Sequence, residues 1–284
     1  MAVLSSGYKR KSKGFRYVGP ADSVSEVGDE PLQIKRKFPD VVVAVDTNRI
    51  AGIAQIRQEH PEVRLIVLDD AFQYRRLKPA YSVLLSDYYR PYSKDALLPF
   101  GKLRDLPAQA RRADMIMVTK TPADVGPEML TAQYQTLCPK PWQMLLFSHY
   151  CYGTPQPLFP NEAASGPPER AAQVVALTGI AHPQPFINEI SKQFLLINHL
   201  RFSDHHSFTQ CDVARINKSA VTYPKALIYT TEKDAMRLAE VSGFSTQAKS
   251  ALFYIPIEVD FCSQGERQRF ADILVKMCHQ RDVV

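Results

Sequence analysis

Short apolar runs recur along this chain, and longer amphipathic stretches separate them. Between two of the runs, the stretch 49–59 places Ile50, Ile53 and Ile56 near helical spacing. Short apolar runs are typical of strands that are buried on both faces, and helices connect such strands in parallel sheets. The alternation therefore predicts an α/β fold with a mostly parallel sheet flanked by helices. The apolar runs of the first half of the chain are 2–4, 41–45, 65–68, 81–85, 115–118 and 144–147.

A stretch rich in proline, glycine and alanine interrupts this alternation at 153–168. After it the alternation resumes, which predicts strands near 173–177, 194–197, 226–230 and 252–257 and helices near 183–192, 232–239 and 264–279. We therefore predict an N-terminal α/β core at 1–152, a linker or hairpin at 153–170, and a second, smaller α/β lobe at 171–284.

The charge balance and the cysteines exclude several classes of protein. The chain has 35 basic and 29 acidic residues, a net charge of +6, which suits a phosphate-rich ligand or an anionic membrane surface. No basic stripe interleaved with aromatic residues is present, so we expect no nucleic-acid partner. The five cysteines are widely spaced and form no CxxC pair, which supports neither a zinc site nor a disulfide framework.

Polar clusters follow several of the predicted strands, at 5–8, 46–49, 69–70 and 230–231. Ligands of open α/β sheets bind beyond the carboxyl ends of the strands, although loops are polar there in any case. The adjacent carboxylates Asp69 and Asp70 have two interpretations. They are either a solvated turn or the acidic side of a magnesium–phosphate site.

Three other clusters also have two interpretations each. Asp29 and Glu30 follow a glycine, and they fit either a site or the acidic first turn of a helix. The segment 203–206 places a histidine beside a carboxylate, and its alternative is a polar turn before a helix capped by Thr209. The segment 230–234 fits a functional loop or a capped helix start equally well.

Taken in order, nine segments resemble the tetraacyldisaccharide 4′-kinases, the lipid A 4′-kinase family. The resemblance implies a P-loop-NTPase-like fold and transfer of the γ-phosphate of ATP to the 4′-hydroxyl of a lipid A precursor disaccharide. It further implies ATP and Mg²⁺ as cofactors and a peripheral membrane association at the cytoplasmic face of the bacterial inner membrane. No protein partner is evident from the sequence. The segments are LSSGYKRKSKGF, EVGDEPLQI, VVVAVDTNRIAGI, IVLDDAFQYRRL, LLPFGKLRDL, RADMIMVTK, ALTGIAHPQPF, RFSDHHSFT and TTEKDAMRL.

The resemblance also implies roles for individual residues. Asp29 resembles the base that takes the proton from the sugar hydroxyl, together with His205. The carboxylates that resemble metal ligands are Glu30, Asp69 and Asp70. The residues that resemble substrate and phosphate ligands are Ser5, Gly7, Tyr8, Arg10, Arg49, Gln73, Arg75 and Arg76.

Two departures from the family pattern qualify this expectation. No G-x-x-x-x-G-K-[ST] motif occurs in the 284 residues, and Ser6 stands where the family usually has arginine. We therefore expect impaired phosphoryl transfer by this form, and a misassigned start or a fragment as the cause. A form without the family's membrane helix is expected in the cytoplasm. The alternative is a non-catalytic protein that binds the lipid disaccharide or regulates its use.

Overall fold

The computed structural model describes residues 1–162, 173–204 and 206–279. Its strands are β1 (Ala2–Ser5), β2 (Arg16–Tyr17), β3 (Val42–Val45), β4 (Ile66–Leu68), β5 (Val83–Asp87), β6 (Met115–Thr119), β7 (Met144–Tyr152), β8 (Gln156–Pro157), β9 (Gln173–Thr178), β10 (Leu195–Arg201), β11 (Leu227–Thr231), β12 (Leu252–Ile255) and β13 (Ile257–Phe261). Its α-helices are α1 (Val24–Val27), α2 (Asp29–Lys37), α3 (Arg49–Glu59), α4 (Pro127–Leu137), α5 (Gln184–Gln193), α6 (Gln210–Thr222), α7 (Glu232–Leu238), α8 (Thr246–Ala251) and α9 (Gln264–His279).

The predicted α/β architecture is confirmed. Every apolar run that predicted a strand overlaps one, and helices α3 and α9 have the predicted bounds, 49–59 and 264–279. Several elements depart from the pattern. The two-residue strands β2 and β8 and the helices α1, α4 and α8 were not predicted, and the run 252–257 divides into β12 and the start of β13.

The chain divides into two units, and each is built from separate segments. Unit 1 comprises Met1–Ser6, Ala44–Cys151 and Glu258–Val284, and unit 2 comprises Gly7–Val43 and Tyr152–Ile257. The division at residue 151 lies close to the predicted one at 152. The segments 7–43 and 258–284, however, group with the opposite unit from the one that the sequence predicted. The domain bounds therefore stay a prediction.

Unit 1 contains parallel strands whose carboxyl ends lie side by side. β1 pairs with β4 in parallel, with Leu4 opposite Leu68. A second sheet has the order β13-β7-β6-β5, in which β6 is parallel to both β5 and β7. Along β6, Met115 and Met117 join one apolar cluster, whereas Ile116 and Val118 join another. Because alternate side chains of a strand point to opposite faces, this sheet is covered on both sides.

Unit 2 contains a five-stranded sheet of order β10-β9-β11-β12-β8. The four longer strands are parallel, and β8 joins the edge antiparallel to β12. Val175 and Leu177 of β9 pack in a cluster with α6 and α8, and Val174 and Ala176 pack in a second cluster with α5. This is the doubly wound arrangement that uninterrupted apolar strands predict. β8 lies inside the predicted linker 153–170, of which residues 163–170 fall outside the described part.

Candidate functional site

In unit 1, the parallel strands β1 and β4 bring Ser5 beside Asp69. The Ser5 hydroxyl donates a hydrogen bond to Asp69 Oδ2 at 2.9 Å, and Ser5 is 4% exposed. The Asp69 amide in turn donates to the Leu4 carbonyl at 3.1 Å. Two residues 64 positions apart thus form one polar pair at the carboxyl ends of neighbouring strands. The hydroxyl fixes one carboxylate oxygen of Asp69 in place.

Arg49 lies in the same unit, in the first turn of α3. It is buried, and its guanidinium donates to the Asp46 carbonyl and, at 3.3 Å, to the Asp69 carbonyl. Burial lowers the pKa of Arg49, and the charges of Asp69 and Asp70 oppose this shift. The Arg49 Nε atom is buried and has no hydrogen-bond partner in the part of the chain that the structure describes. The site therefore holds a desolvated positive charge with an unused donor.

Asp70 adopts a left-handed backbone conformation, with φ of 44°. Such a conformation is uncommon outside glycine, although aspartate tolerates it better than most residues. Its exposed carboxylate accepts hydrogen bonds from Nη2 and Nη1 of Arg104, at 2.6 and 3.1 Å. Arg75 forms a similar pair with Asp105, at 2.7 Å. The predicted residues Gln73 and Arg76 are exposed on the same segment.

The oxygen donors of Ser5, Asp69 and Asp70 suit a hard cation such as Mg²⁺. Mg²⁺ is usually bound through one or two carboxylates, with water and phosphate oxygens completing its coordination. Within the described ranges, no group of three or more His, Cys, Asp or Glu side chains is arranged to hold a metal ion. Glu30 belongs to unit 2, so its role as a ligand beside Asp69 and Asp70 stays a prediction.

In unit 2, two glycines with positive φ shape the predicted binding loop and the start of α2. Gly7 has φ of 66°, and a Cβ atom there would lie 2.5 Å from Arg10 Cδ. Gly28 has φ of 92° and is the residue from which α2 begins. Arg10 donates to the Gly14 carbonyl at 2.6 Å, and Tyr8 is 64% exposed. Both conformations favour glycine because a side chain would strain the backbone.

Asp29 is the first residue of α2, so the helical interpretation of the Asp29–Glu30 pair is confirmed. Asp29 is 8% exposed, and one of its carboxylate oxygens accepts the Glu30 amide at 3.0 Å. The amide and the helix dipole both favour a carboxylate at this position. Lys233 of α7 also approaches, with its Nζ 3.8 Å from Asp29 Oδ2 and 3.0 Å from Glu30 Oε1. The sequence did not predict Lys233, although it lies in the segment TTEKDAMRL.

A buried ion pair anchors α7 in unit 2. Asp234 is 0% exposed, and its carboxylate accepts the Gly179 amide at 2.9 Å and Arg237 Nη2 at 2.5 Å. Burial raises the pKa of Asp234, and the Gly179 amide and Arg237 oppose the rise. Thr231 caps the helix, as one interpretation of the segment 230–234 predicted.

The predicted partner histidine, His205, lies outside the described residues. Its neighbour His206 contacts Asp212 Oδ2 through Nε2, at 2.9 Å. Asp212 also forms a capping box with Thr209 at the start of α6, so the predicted cap is confirmed. Burial alone would raise the pKa of Asp212, but hydrogen bonds from His206 and Thr209 lower it below its usual value.

The sequence of this chain matches known proteins along almost its whole length. The sequence model of a family described as tetraacyldisaccharide-1-P 4′-kinase matches residues 1–278. The chain belongs to the tetraacyldisaccharide 4′-kinase family.

Relatives named tetraacyldisaccharide 4′-kinase include one from Phocaeicola vulgatus, which is 42% identical over 95% of this chain and 75% of the relative. Another, from Parabacteroides distasonis, is 39% identical over 97% of this chain and 76% of the relative. The chain thus spans about three quarters of the length of these relatives.

A solved structure has the same fold. It is the crystal structure of the "apo" form of LpxK from Aquifex aeolicus in complex with ATP, with a TM-score of 0.70 and 23% identity over 98% of this chain and 79% of that one. Membership of this family confirms the prediction that the chain is a kinase. The roles of the individual site residues stay predictions.

None of the helices in the described ranges combines the length and apolar character that crossing a bilayer requires.

Proposed function

We propose that this chain transfers the γ-phosphate of ATP to the 4′-hydroxyl of a tetraacyldisaccharide 1-phosphate, a lipid A precursor. The observation that supports this proposal is the family match over residues 1–278. In the reaction, the hydroxyl oxygen attacks the γ-phosphorus, its proton passes to the protein, and ADP leaves.

Asp29 is the proposed base, together with His205. Its carboxylate is buried, and one of its oxygens accepts the Glu30 amide, so its position is restricted before substrate arrives. A general base contributes most when its position is set in advance. The carboxylate takes the proton of the 4′-hydroxyl as the oxygen attacks.

Asp69, Asp70 and Glu30 are the proposed ligands of Mg²⁺. The metal, when bound, would neutralise charge on the phosphate oxygens of ATP. Ser5 holds the Asp69 carboxylate in place by its hydrogen bond. The proposed ligands for phosphate and sugar oxygens are Ser5, Gly7, Tyr8, Arg10, Arg49, Gln73, Arg75 and Arg76.

The proposed base can be tested by transfer of ³²P from labelled ATP to the purified disaccharide lipid. We expect Asp29→Asn to lower kcat by about 10²- to 10⁴-fold, which is the usual contribution of a general base. The matched control is Asp40→Asn, which alters an exposed aspartate of the same unit. Transfer by Asp29→Asn at the rate of the unaltered chain would refute the assignment.

We also propose that these 284 residues by themselves turn over slowly, because they contain no G-x-x-x-x-G-K-[ST] motif. In P-loop enzymes, the loop amides and the lysine hold the β- and γ-phosphates, and each lost contact of this kind costs about 10²- to 10³-fold. The same observation favours a second candidate, a non-catalytic protein that binds the lipid disaccharide. Tight lipid binding without any phosphate transfer supports this candidate, whereas measurable transfer that depends on Asp29 supports the kinase.

The proposed location is the cytoplasmic face of the bacterial inner membrane, with peripheral attachment. The loop 94–102 of unit 1 combines exposed apolar side chains with exposed lysines, as a membrane-binding surface would. Leu98 is 61% exposed and Phe100 is 93% exposed, and the exposed lysines Lys94 and Lys102 flank them. An apolar tip beside cations favours a surface of anionic lipid, where each cation contributes about 1 kcal/mol.

Flotation with phosphatidylglycerol vesicles tests this attachment. We expect Leu98→Ser/Phe100→Ser to lower the bound fraction and Trp142→Ser to leave it unchanged, since Trp142 is also exposed (64%) but lies outside the loop. Equal binding by the loop variant and the unaltered chain would remove the loop from the proposal.

A further inference from the structure

Two lysines connect α2 and α7 within unit 2, and they reach different carboxylates. Lys37, the last residue of α2, lies 3.7 Å from Glu232 Oε2. Lys233, in the first turn of α7, lies 3.0 Å from Glu30 and 3.8 Å from Asp29. The Lys37 pair is at the end of α2 that is remote from the proposed base. Of these two lysines, Lys233 is the one that lies beside the proposed base, Asp29.

The backbone that carries Lys233 is held in place by its neighbours. Asp234, the next residue, is fully buried and accepts the Gly179 amide and the Thr231 hydroxyl, at 2.9 and 2.8 Å. Arg237 closes the network by donating to Asp234 and to the Gly179 carbonyl, at 2.5 and 3.2 Å. The backbone position of Lys233 is therefore fixed by this network. The Lys233 side chain is 25% exposed.

Asp29 needs such a partner because of its burial. Its side chain is 10% exposed, so little water reaches the carboxylate. The Glu30 amide occupies Oδ1, and Lys233 lies beside Oδ2. A cation beside a partly desolvated carboxylate favours one orientation of it and offsets the repulsion from a neighbouring carboxylate, here Glu30.

We propose that Lys233 is a positioning residue for phosphoryl transfer, which holds the Asp29 carboxylate in the orientation that receives the hydroxyl proton. This inference rests on the proposed function, in which Asp29 is the base. Lys233 acts on the reaction through Asp29. Without its ammonium, the Asp29 carboxylate turns away from this orientation, and fewer bound substrates are in the geometry for transfer.

Steady-state kinetics of the full chain test the inference. We expect Lys233→Met to lower kcat about 10- to 100-fold while the KM values for ATP and lipid change less than about threefold, because orientation of the base affects the chemical step. We expect Lys233→Arg to recover most of kcat because it keeps the charge. The matched control, Lys37→Met, removes the other lysine that connects the same two helices, and its kcat should remain within about twofold of the unaltered chain.

A double variant separates positioning through Asp29 from an independent effect. If Lys233 acts through Asp29, Asp29→Asn/Lys233→Met has the same kcat as Asp29→Asn alone, because coupled residues are not additive. Additive losses would overturn the inference, as would an equal loss of kcat in Lys37→Met and Lys233→Met.

The outcomes also distinguish this inference from the proposed function. If Asp29→Asn loses activity and Lys233→Met does not, only the role of Lys233 is refuted. If Asp29→Asn retains full activity, the proposed base is refuted, and the role of Lys233 with it. Where turnover is too slow to measure, crystal structures of the unaltered chain and Lys233→Met decide. A displaced Asp29 carboxylate supports the inference, and an unchanged one overturns it.

Discussion

Removal of Arg237 should destabilise unit 2 strongly because it leaves a buried carboxylate without its cation. Asp234 is 0% exposed, and Arg237 Nη2 lies 2.5 Å from its Oδ1. Loss of one partner of a buried ion pair typically costs 3–5 kcal/mol. Two features of the structure favour the lower end of this range. The Gly179 amide and Thr231 hydroxyl still bind Asp234 Oδ2, and the buried Arg237 Nε has no hydrogen-bond partner to lose among the described residues. We expect Arg237→Met to lower the free energy of unfolding by about 3 kcal/mol.

Urea unfolding followed by circular dichroism measures this change in the free energy of unfolding. The control is Lys192→Met, which removes another i,i+3 ion pair of unit 2, whose lysine side chain is 70% exposed. Such exposed pairs contribute about 0–1 kcal/mol. Asp234→Asn/Arg237→Met should be more stable than Arg237→Met, since it removes the unpaired charge. A loss below about 1 kcal/mol for Arg237→Met, close to that of Lys192→Met, would contradict the reasoning.

Three further changes test the backbone, the pH dependence and the core, each by chemical unfolding. Gly28→Ala should lower the free energy of unfolding by about 1–3 kcal/mol because φ is 92° and ψ is 155° there, a conformation that is essentially confined to glycine. Gly265→Ala, where a Cβ meets nothing within 4 Å, should not lower it. Asp212→Asn should lower the free energy of unfolding by about 1–2 kcal/mol at pH 7. The folded pKa of Asp212 is depressed, so its stabilisation is fully present above the unfolded value near 3.8 and is lost as the pH falls through the folded pKa. At pH 3 the variant and the unaltered chain should therefore differ less, and a constant difference would disprove the linkage. Ile116→Ala should lower the free energy of unfolding by about 2–5 kcal/mol, because the side chain is 0% exposed. A decrease below about 1 kcal/mol would be inconsistent with a packed sheet face.

The strands and several helices could be predicted from the sequence because their burial is visible as a local pattern. The apolar run at 173–177 becomes β9, whose alternate residues enter two clusters, so neither face is polar. The spacing of the isoleucines in 49–59 predicts α3, although the structure buries Ile56 and leaves Ile50 42% exposed. Caps at Thr209 and Thr231 are similarly local, since the capping side chain bonds a backbone amide three residues away.

What the sequence did not reveal depends on residues that are distant along the chain. The partner of Asp70 is Arg104, 34 positions away, and that of Glu30 is Lys233, 203 positions away. Both partners lie in segments that resemble the family, but no local pattern says which side chain they meet. The edge strand β8 is similar, because two residues carry no periodicity and only the pairing with β12 defines it.

The segmented composition of the two units bears on how the protein is made. Residues 7–43 belong to the unit whose remaining part is 152–257. A ribosome synthesises about 5–20 residues per second, so the intervening stretch delays the arrival of that remaining part by roughly 5–20 s. During that interval the amphipathic α2 has no α7 to pack against, and a translational pause would lengthen the interval. A cleavage after residue 151 would leave the two parts of unit 2 on different fragments. We therefore expect each half to fold poorly when it is expressed alone. Co-expression of the two halves should work better, because residues 7–43 can then pack with 152–257 in trans.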